Sequence, residues 1–105
     1  MNRPAGIYLI IEFDWPAAIE PDLTQKARRL HDSVRGQGWI REVVVASGGI
    51  GGGPSSMWVL WLQNYASLDR LFTNDADIIS IAYREFFSAV EHVQEKVRHE
   101  VQFVV

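Results

Sequence analysis

Apolar residues recur along this chain with two different periods, and the changes of period mark its elements. Gly6 to Trp15 alternates Ile7, Leu9, Ile11 and Phe13 with Tyr8, Ile10, Glu12 and Asp14, and is too short for a stable helix. It reads as a first strand with apolar groups on both faces. Pro16 removes a ladder donor and Pro21 suits the first turn of a helix, so a helix is expected from Pro21 or Asp22. Leu23, Ala27, Leu30 and Val34 then recur at spacings of four, three and four, with Lys26, Arg28, Arg29, Asp32 and Arg35 turned outward. Gly36 and Gly38 end that amphipathic helix. Ile40 to Ser47 and Met57 to Leu62 read as second and third strands. The glycine-rich run between them predicts a long hairpin loop of low intrinsic order, a candidate lid over a pocket. Ser67 is expected to cap a short helical segment, Leu68 to Phe72. A longer helix is expected from Asp77 to Val97, burying Ile78, Ile81, Ala82, Phe86, Ala89, Val90, Val93 and Val97. His99 to Val105 alternates again and predicts a fourth strand.

This order predicts an α+β, ferredoxin-like βαββαβ domain: a four-stranded antiparallel sheet with two helices on one face. Two helices shield only one side of a sheet, yet Tyr8, Ile10 and the valines of the second strand place apolar groups on the other. A second sheet packed face to face solves that problem, so a homodimer through the face bearing Tyr8, Ile10 and Glu12 is expected.

Composition narrows the function classes. The chain has 105 residues, 48% of them apolar and 22% charged, which suits one small domain spanning residues 1–105 with a modest core. The absence of cysteine excludes disulfides, thiol nucleophiles and thiolate-held metal clusters. A net charge of −3 with no basic block argues against nucleic acid as a partner. No apolar run approaches the ~20 residues of a membrane span, and the amino terminus lacks a signal-peptide core, so a cytoplasmic protein with no membrane partner is expected.

The stretch Met57-Trp-Val-Leu-Trp-Leu-Gln-Asn-Tyr-Ala-Ser-Leu-Asp-Arg-Leu-Phe72, together with the element order, resembles the dimeric α/β-barrel superfamily, in particular its NIPSNAP-like and antibiotic-biosynthesis-monooxygenase-like members. The resemblance implies two ferredoxin-like subunits packed sheet on sheet. It also implies a cofactor-free, monooxygenase-like or isomerase-like enzyme acting on a small apolar or aromatic molecule, or a non-catalytic sensing or association module of the same fold. Haem-degrading members carry a Trp and a ligating His on the second helix. His92 is expected on that helix but has no Trp one to three turns upstream, which departs from their pattern.

Candidate chemistry is sparse. The Gly48 to Gly53 run lacks the Gly-Lys-Ser/Thr ending and following helix of a phosphate loop, and no dinucleotide fingerprint fits. His31, His92 and His99 lack metal-ligand spacing, so no metal, haem or nucleotide cofactor is expected. His31 sits on the border of the first helix's apolar stripe, where it reads either as a solvated residue shielding the core edge or as a proton acceptor facing a cavity; it is the candidate catalytic residue. Trp58 and Trp61, three positions apart on one strand, point to opposite faces, one toward the helices and one toward the subunit interface. Both read as packing residues or as walls of a small apolar pocket, as does Tyr8. Tyr83 has ordinary core spacing with Phe86, and its hydroxyl is a candidate polar handle for a ligand. Glu12 and Asp14 share a face and predict rim ion pairs, with Arg41, Arg84 and Arg98 as available partners.

Overall fold

A computed structural model describes residues 4–103. Strand β1 (Ile7–Asp14) is followed by helix α1 (Pro21–Val34), strands β2 (Ile40–Ser47) and β3 (Ser56–Leu62), helices α2 (Tyr65–Thr73) and α3 (Ile78–Phe87), and strand β4 (Glu91–His99). The strands form one antiparallel sheet in the order β2-β3-β1-β4, so β1 and β3 are central and β2 and β4 are edges. This is the ferredoxin-like arrangement, and the short helical segment expected at Leu68 to Phe72 is a full helix, α2, beside the two helices of the expected topology.

The alternation in β1 places Ile7, Leu9, Ile11 and Phe13 in the core, where they meet Trp58, Leu60 and Leu62 of β3. From the helices come Leu23, Leu30 and Val34 of α1, Leu71 of α2, and Ile79, Ala82, Tyr83, Phe86 and Phe87 of α3. Pro21 opens α1 as expected, and Gly36, with φ of 80°, turns the chain after its end in a left-handed conformation that a side chain disfavours.

Two expectations about the second half of the chain are overturned. The helix expected over Asp77 to Val97 ends at Phe87, and the strand expected over His99 to Val105 is instead β4, of which His99 is the last residue. Residues 104 and 105 lie outside the described residues. Ser88 closes α3 by donating both its backbone N–H and its hydroxyl to the Arg84 carbonyl. The confusion has a physical source: Val93 and Val97, four apart, share a face in a helix of period 3.6 and equally in a strand of period 2. The buried face of α3 keeps Ala82 and Phe86 as expected but is rotated away from Ile78 and Ile81. Ile79, Ala82, Tyr83, Phe86 and Phe87 are buried, whereas Ile78 and Ile81 are 69% and 37% exposed.

The segment before α3 differs as well. Asn64, not Ser67, caps α2, accepting the Ser67 backbone N–H on its side chain at 3.1 Å, and the helix is nine residues long. His92, expected on a helix, is the second residue of β4, with φ of 56°, and lies in a bulge where His92 and Val93 together oppose the single β1 residue Phe13.

Candidate functional site

The helix side of the sheet opens to solvent through a cavity of about 350 Å³ between α2, α3 and β4. Three rings build its wall. Tyr83 and Phe87 stand one turn apart on α3 with ring centroids 4.7 Å apart, and Phe72, near the end of α2, approaches Tyr83 at 5.5 Å. The short turn between the helices is fixed by Asp77, which caps α3 through the Ile79 N–H and pairs with Arg70 at 2.8 Å. The Arg70 hydrogen bond, opposed by desolvation and aided by the Ile79 amide, holds the Asp77 carboxyl below the usual carboxylate range.

Strand β4 supplies the other side. Its row facing the helices reads Val93, Glu95, Val97, since Glu95 and Val97 pair with the core residues Ile11 and Leu9 of β1 and Val93 lines the cavity. Glu95 is the one charged residue in that row, and its Oε2 accepts the Tyr83 hydroxyl at 2.5 Å. Tyr83 is only 4% exposed. Burial first, then the Glu95 carboxylate, pushes the phenol well above its ordinary value, so Tyr83 stays protonated and acts as a fixed donor. The arrangement can hold a small apolar or aromatic body against the rings and present a carboxylate to its polar end.

The five sequence-derived candidates fall in three separate places. Tyr83 belongs to this cavity. His31 and Trp58 lie together at a shallower one of about 300 Å³ between α1 and β2, also lined by Ala27 and Val45. The His31 ring meets Trp58 edge-on at 6.2 Å and its side chain is 38% exposed, which confirms the border position. Trp58 is buried and its Nε1 has no hydrogen-bond partner among the described residues. Tyr8 and Trp61 are on the opposite face of the sheet, stacked at 5.9 Å with an interplanar angle of 19°.

That opposite face carries no helix. Its middle is apolar, with Tyr8, Ile10, Val44, Val59 and Trp61 aligned across three strands, and its margin carries Glu12, Lys96 and Arg98. The rim ion pairs expected for Glu12 and Asp14 exist, but not with arginine: Glu12 pairs with Lys96 at 2.5 Å and Asp14 with His92 at 3.0 Å. Arg41 instead meets Glu100 at 3.4 Å and Arg84 meets Asp75 at 2.9 Å. The Glu100 carboxylate also accepts the Gly6 N–H at 2.8 Å and the Trp61 indole at 2.9 Å, which ties the end of β4 to the entry of β1.

The glycine-rich loop is anchored at its base. Gly48 donates to the Ser55 carbonyl at 2.7 Å, and Asp14 accepts both the Ser55 N–H and its hydroxyl. No residue of its tip lines either of these two cavities. Glu95 and Phe72 are the site residues that sequence reasoning missed. For Glu95 the signal was the period-two row Val93, Glu95, Val97, hidden by its equal fit to a helix; Phe72 had no signal beyond its place at the end of the short helical segment.

Among the described residues, no group of three or more His, Asp or Glu is placed to hold a metal ion, and no helix is long and apolar enough to cross a membrane. No protein-family model matches the chain, and a search of curated proteins finds no match. Solved structures do resemble it. A DABB family protein with a ferredoxin-like fold from Mesorhizobium loti aligns over 94% of this chain and 100% of its own, with a TM-score of 0.70 and 11% identity. A dimeric ferredoxin-like protein of unknown function from Thermobifida fusca aligns over 93% and 92%, with a TM-score of 0.65 and 15% identity. A hypothetical protein of Arabidopsis thaliana aligns over 100% and 96%, with a TM-score of 0.69 and 4% identity. At these identities the likeness establishes the ferredoxin-like fold.

Proposed function

We propose that this chain is a cytoplasmic homodimer of the dimeric α/β-barrel type, in which two copies pack sheet on sheet and each binds a small apolar or aromatic molecule between α2, α3 and β4. The observation that carries the ligand site is the Tyr83 hydroxyl held on the Glu95 carboxylate inside a ring-walled cavity. Ligand sites are commonly concave and mostly apolar, with a few convergent polar groups that fix orientation. The dimer is supported by the uncovered apolar face, by the dimeric description of the Thermobifida fusca structure, and by the physics of sheet packing at about 10 Å spacing. If the domain is catalytic, the pair suits proton transfer of the isomerase-like kind. Glu95 takes a proton from the ligand, and Tyr83, locked in its protonated form, keeps the carboxylate aimed.

A second reading places the ligand at His31, favoured by the buried Trp58 Nε1 beside it, which has no hydrogen-bond partner among the described residues. Titrating the isotope-labelled protein with a panel of small aromatic molecules separates the two. Shifts centred on Tyr83, Phe87 and Val93 support the first reading; shifts centred on Ala27, His31 and Val45 support the second. A panel that moves neither group overturns both.

A further inference from the structure

Resting on the ligand site between α2, α3 and β4, we infer that it selects an organic cation: a protonated amine carried on an apolar or aromatic body. The inference follows from which polar groups around the cavity are already engaged. The Tyr83 hydroxyl donates to Glu95, and the Ser88 hydroxyl donates to the Arg84 carbonyl. Arg84, the one cation of the lining, is drawn to Asp75 at 2.9 Å. What is left on offer is an acceptor. Glu95 uses Oε2 for Tyr83, while its Oε1 has no hydrogen bond and the carboxylate has no ion pair among the described residues. The nearest basic residues along the strand cannot serve it, because Lys96 and Arg98 stand on the opposite face, Lys96 held by Glu12.

A carboxylate beside three aromatic rings is a favourable place for a cation. Phe72, the most exposed of the three rings, and the cavity-lining edges of Tyr83 and Phe87 supply aromatic surface, whose π-faces attract positive charge, and the carboxylate supplies the charge-assisted hydrogen bond. A neutral alcohol can make the hydrogen bond without the ring attraction or the full Coulomb term. A carboxylate ligand meets Glu95 with like charge and has only the remaining N–H groups of Arg84 to bind.

The test uses three probes of nearly equal shape on the full chain: phenethylamine, 2-phenylethanol and 3-phenylpropionate, each titrated at pH 7 and followed through the amide and ring signals of Phe72, Tyr83 and Phe87. Phenethylamine is expected to bind at least tenfold more tightly than the alcohol, and the propionate least. In Glu95→Gln, which keeps the shape and can still accept from Tyr83, the amine is expected to lose at least tenfold in affinity, a larger loss than the alcohol's, because only the amine loses a full charge partner. If the alcohol or the propionate binds at this site as tightly as the amine, the cation preference is wrong and the site itself stands. If none of the three moves these signals, the site reading fails and the preference with it.

Discussion

Tyr8 and Trp61 stand directly opposite each other on the two central strands, β1 and β3, with their rings stacked on the face of the sheet that no helix covers. Trp61 is fixed from three sides, by Tyr8, by its indole bond to Glu100, and by the Arg41 guanidinium 5.3 Å over its ring. Rigid aromatic surface of this kind, with Ile10, Val59 and Val44 beside it, is what sheet-on-sheet association requires. The wild-type chain of 11.9 kDa is therefore expected to run at twice that mass in light scattering at micromolar concentration. Ile10→Lys, at the centre of the face, should shift it to the single-chain mass, and a variant that stays dimeric would place the interface elsewhere.

Gly6 sits where no larger residue fits. A Cβ there would lie 2.3 Å from the Leu62 carbonyl oxygen and 2.9 Å from the Arg41 guanidinium. Gly6→Ala must push β1 away from β3 or break the Glu100 cluster, and is expected to destabilise the fold by about 1–3 kcal/mol, as overpacked sites do. Urea denaturation of the variant measures it. A midpoint equal to wild type would show that the strands give way without cost.

Acid should loosen the same cluster. The Gly6 N–H first, then Gln102, Trp61 and Arg41, working against desolvation, hold the Glu100 carboxyl below its ordinary value of 4.5. The Ser55 amide does the same for Asp14, whose ordinary value is 3.8. A carboxyl whose pKa is lower folded than unfolded contributes stability that is present above the unfolded value and lost as pH falls through the folded one. Melting temperature should thus drop as pH is lowered from 5 toward 3, and Glu100→Gln should flatten part of that drop while lowering the plateau. An identical acid profile in the variant would remove Glu100 from the account.

Trp58 carries an indole N–H that is buried without a hydrogen-bond partner among the described residues, so the ring and the N–H contribute with opposite sign. Trp58→Phe should cost less than about 1.5 kcal/mol, because losing the orphan donor offsets part of the lost packing. Trp58→Ala should cost about 3–5 kcal/mol. Thermal melts of the pair decide it, and equal losses would mean that the N–H finds a partner in solution.

The loop between β2 and β3 should exchange its amides quickly at its tip and slowly at its base. Ile50 at the tip is fully exposed and the glycines around it have open space where a side chain would stand, while Gly48 and Ser55 are hydrogen-bonded. Hydrogen exchange resolved by residue checks this, and strong protection through Gly49 to Gly53 would contradict it.

The first half of the fold was legible because each of its patterns admits one period. Ile7 to Phe13 alternates too long for a helix face, and Leu23 to Val34 repeats at a spacing that no strand shares. The stretch from Ile78 to Val97 was not legible for the opposite reason. Paired apolar residues such as Ile78 and Ile79 or Phe86 and Phe87 leave the helix phase open, and Val93 with Val97 fits either period. What decided between them was tertiary: β1 needs a second hydrogen-bonded neighbour, and β4 supplies it. The site followed the same division. His31 and Tyr83 were visible as titratable or aromatic residues on helix stripes and Trp58 as an aromatic on a strand, but Glu95, lying within the stretch expected to be helical, could not be seen as the partner of Tyr83.

The most direct measurement is a crystal structure of the dimer soaked with phenethylamine. The account predicts the ring between Phe72, Tyr83 and Phe87 and the ammonium within hydrogen-bond distance of the Glu95 carboxylate, with the two sheets facing each other across Tyr8 and Trp61. An amine lodged instead at His31 and Trp58, or against Trp61, with the space beside Glu95 left to solvent, would contradict it.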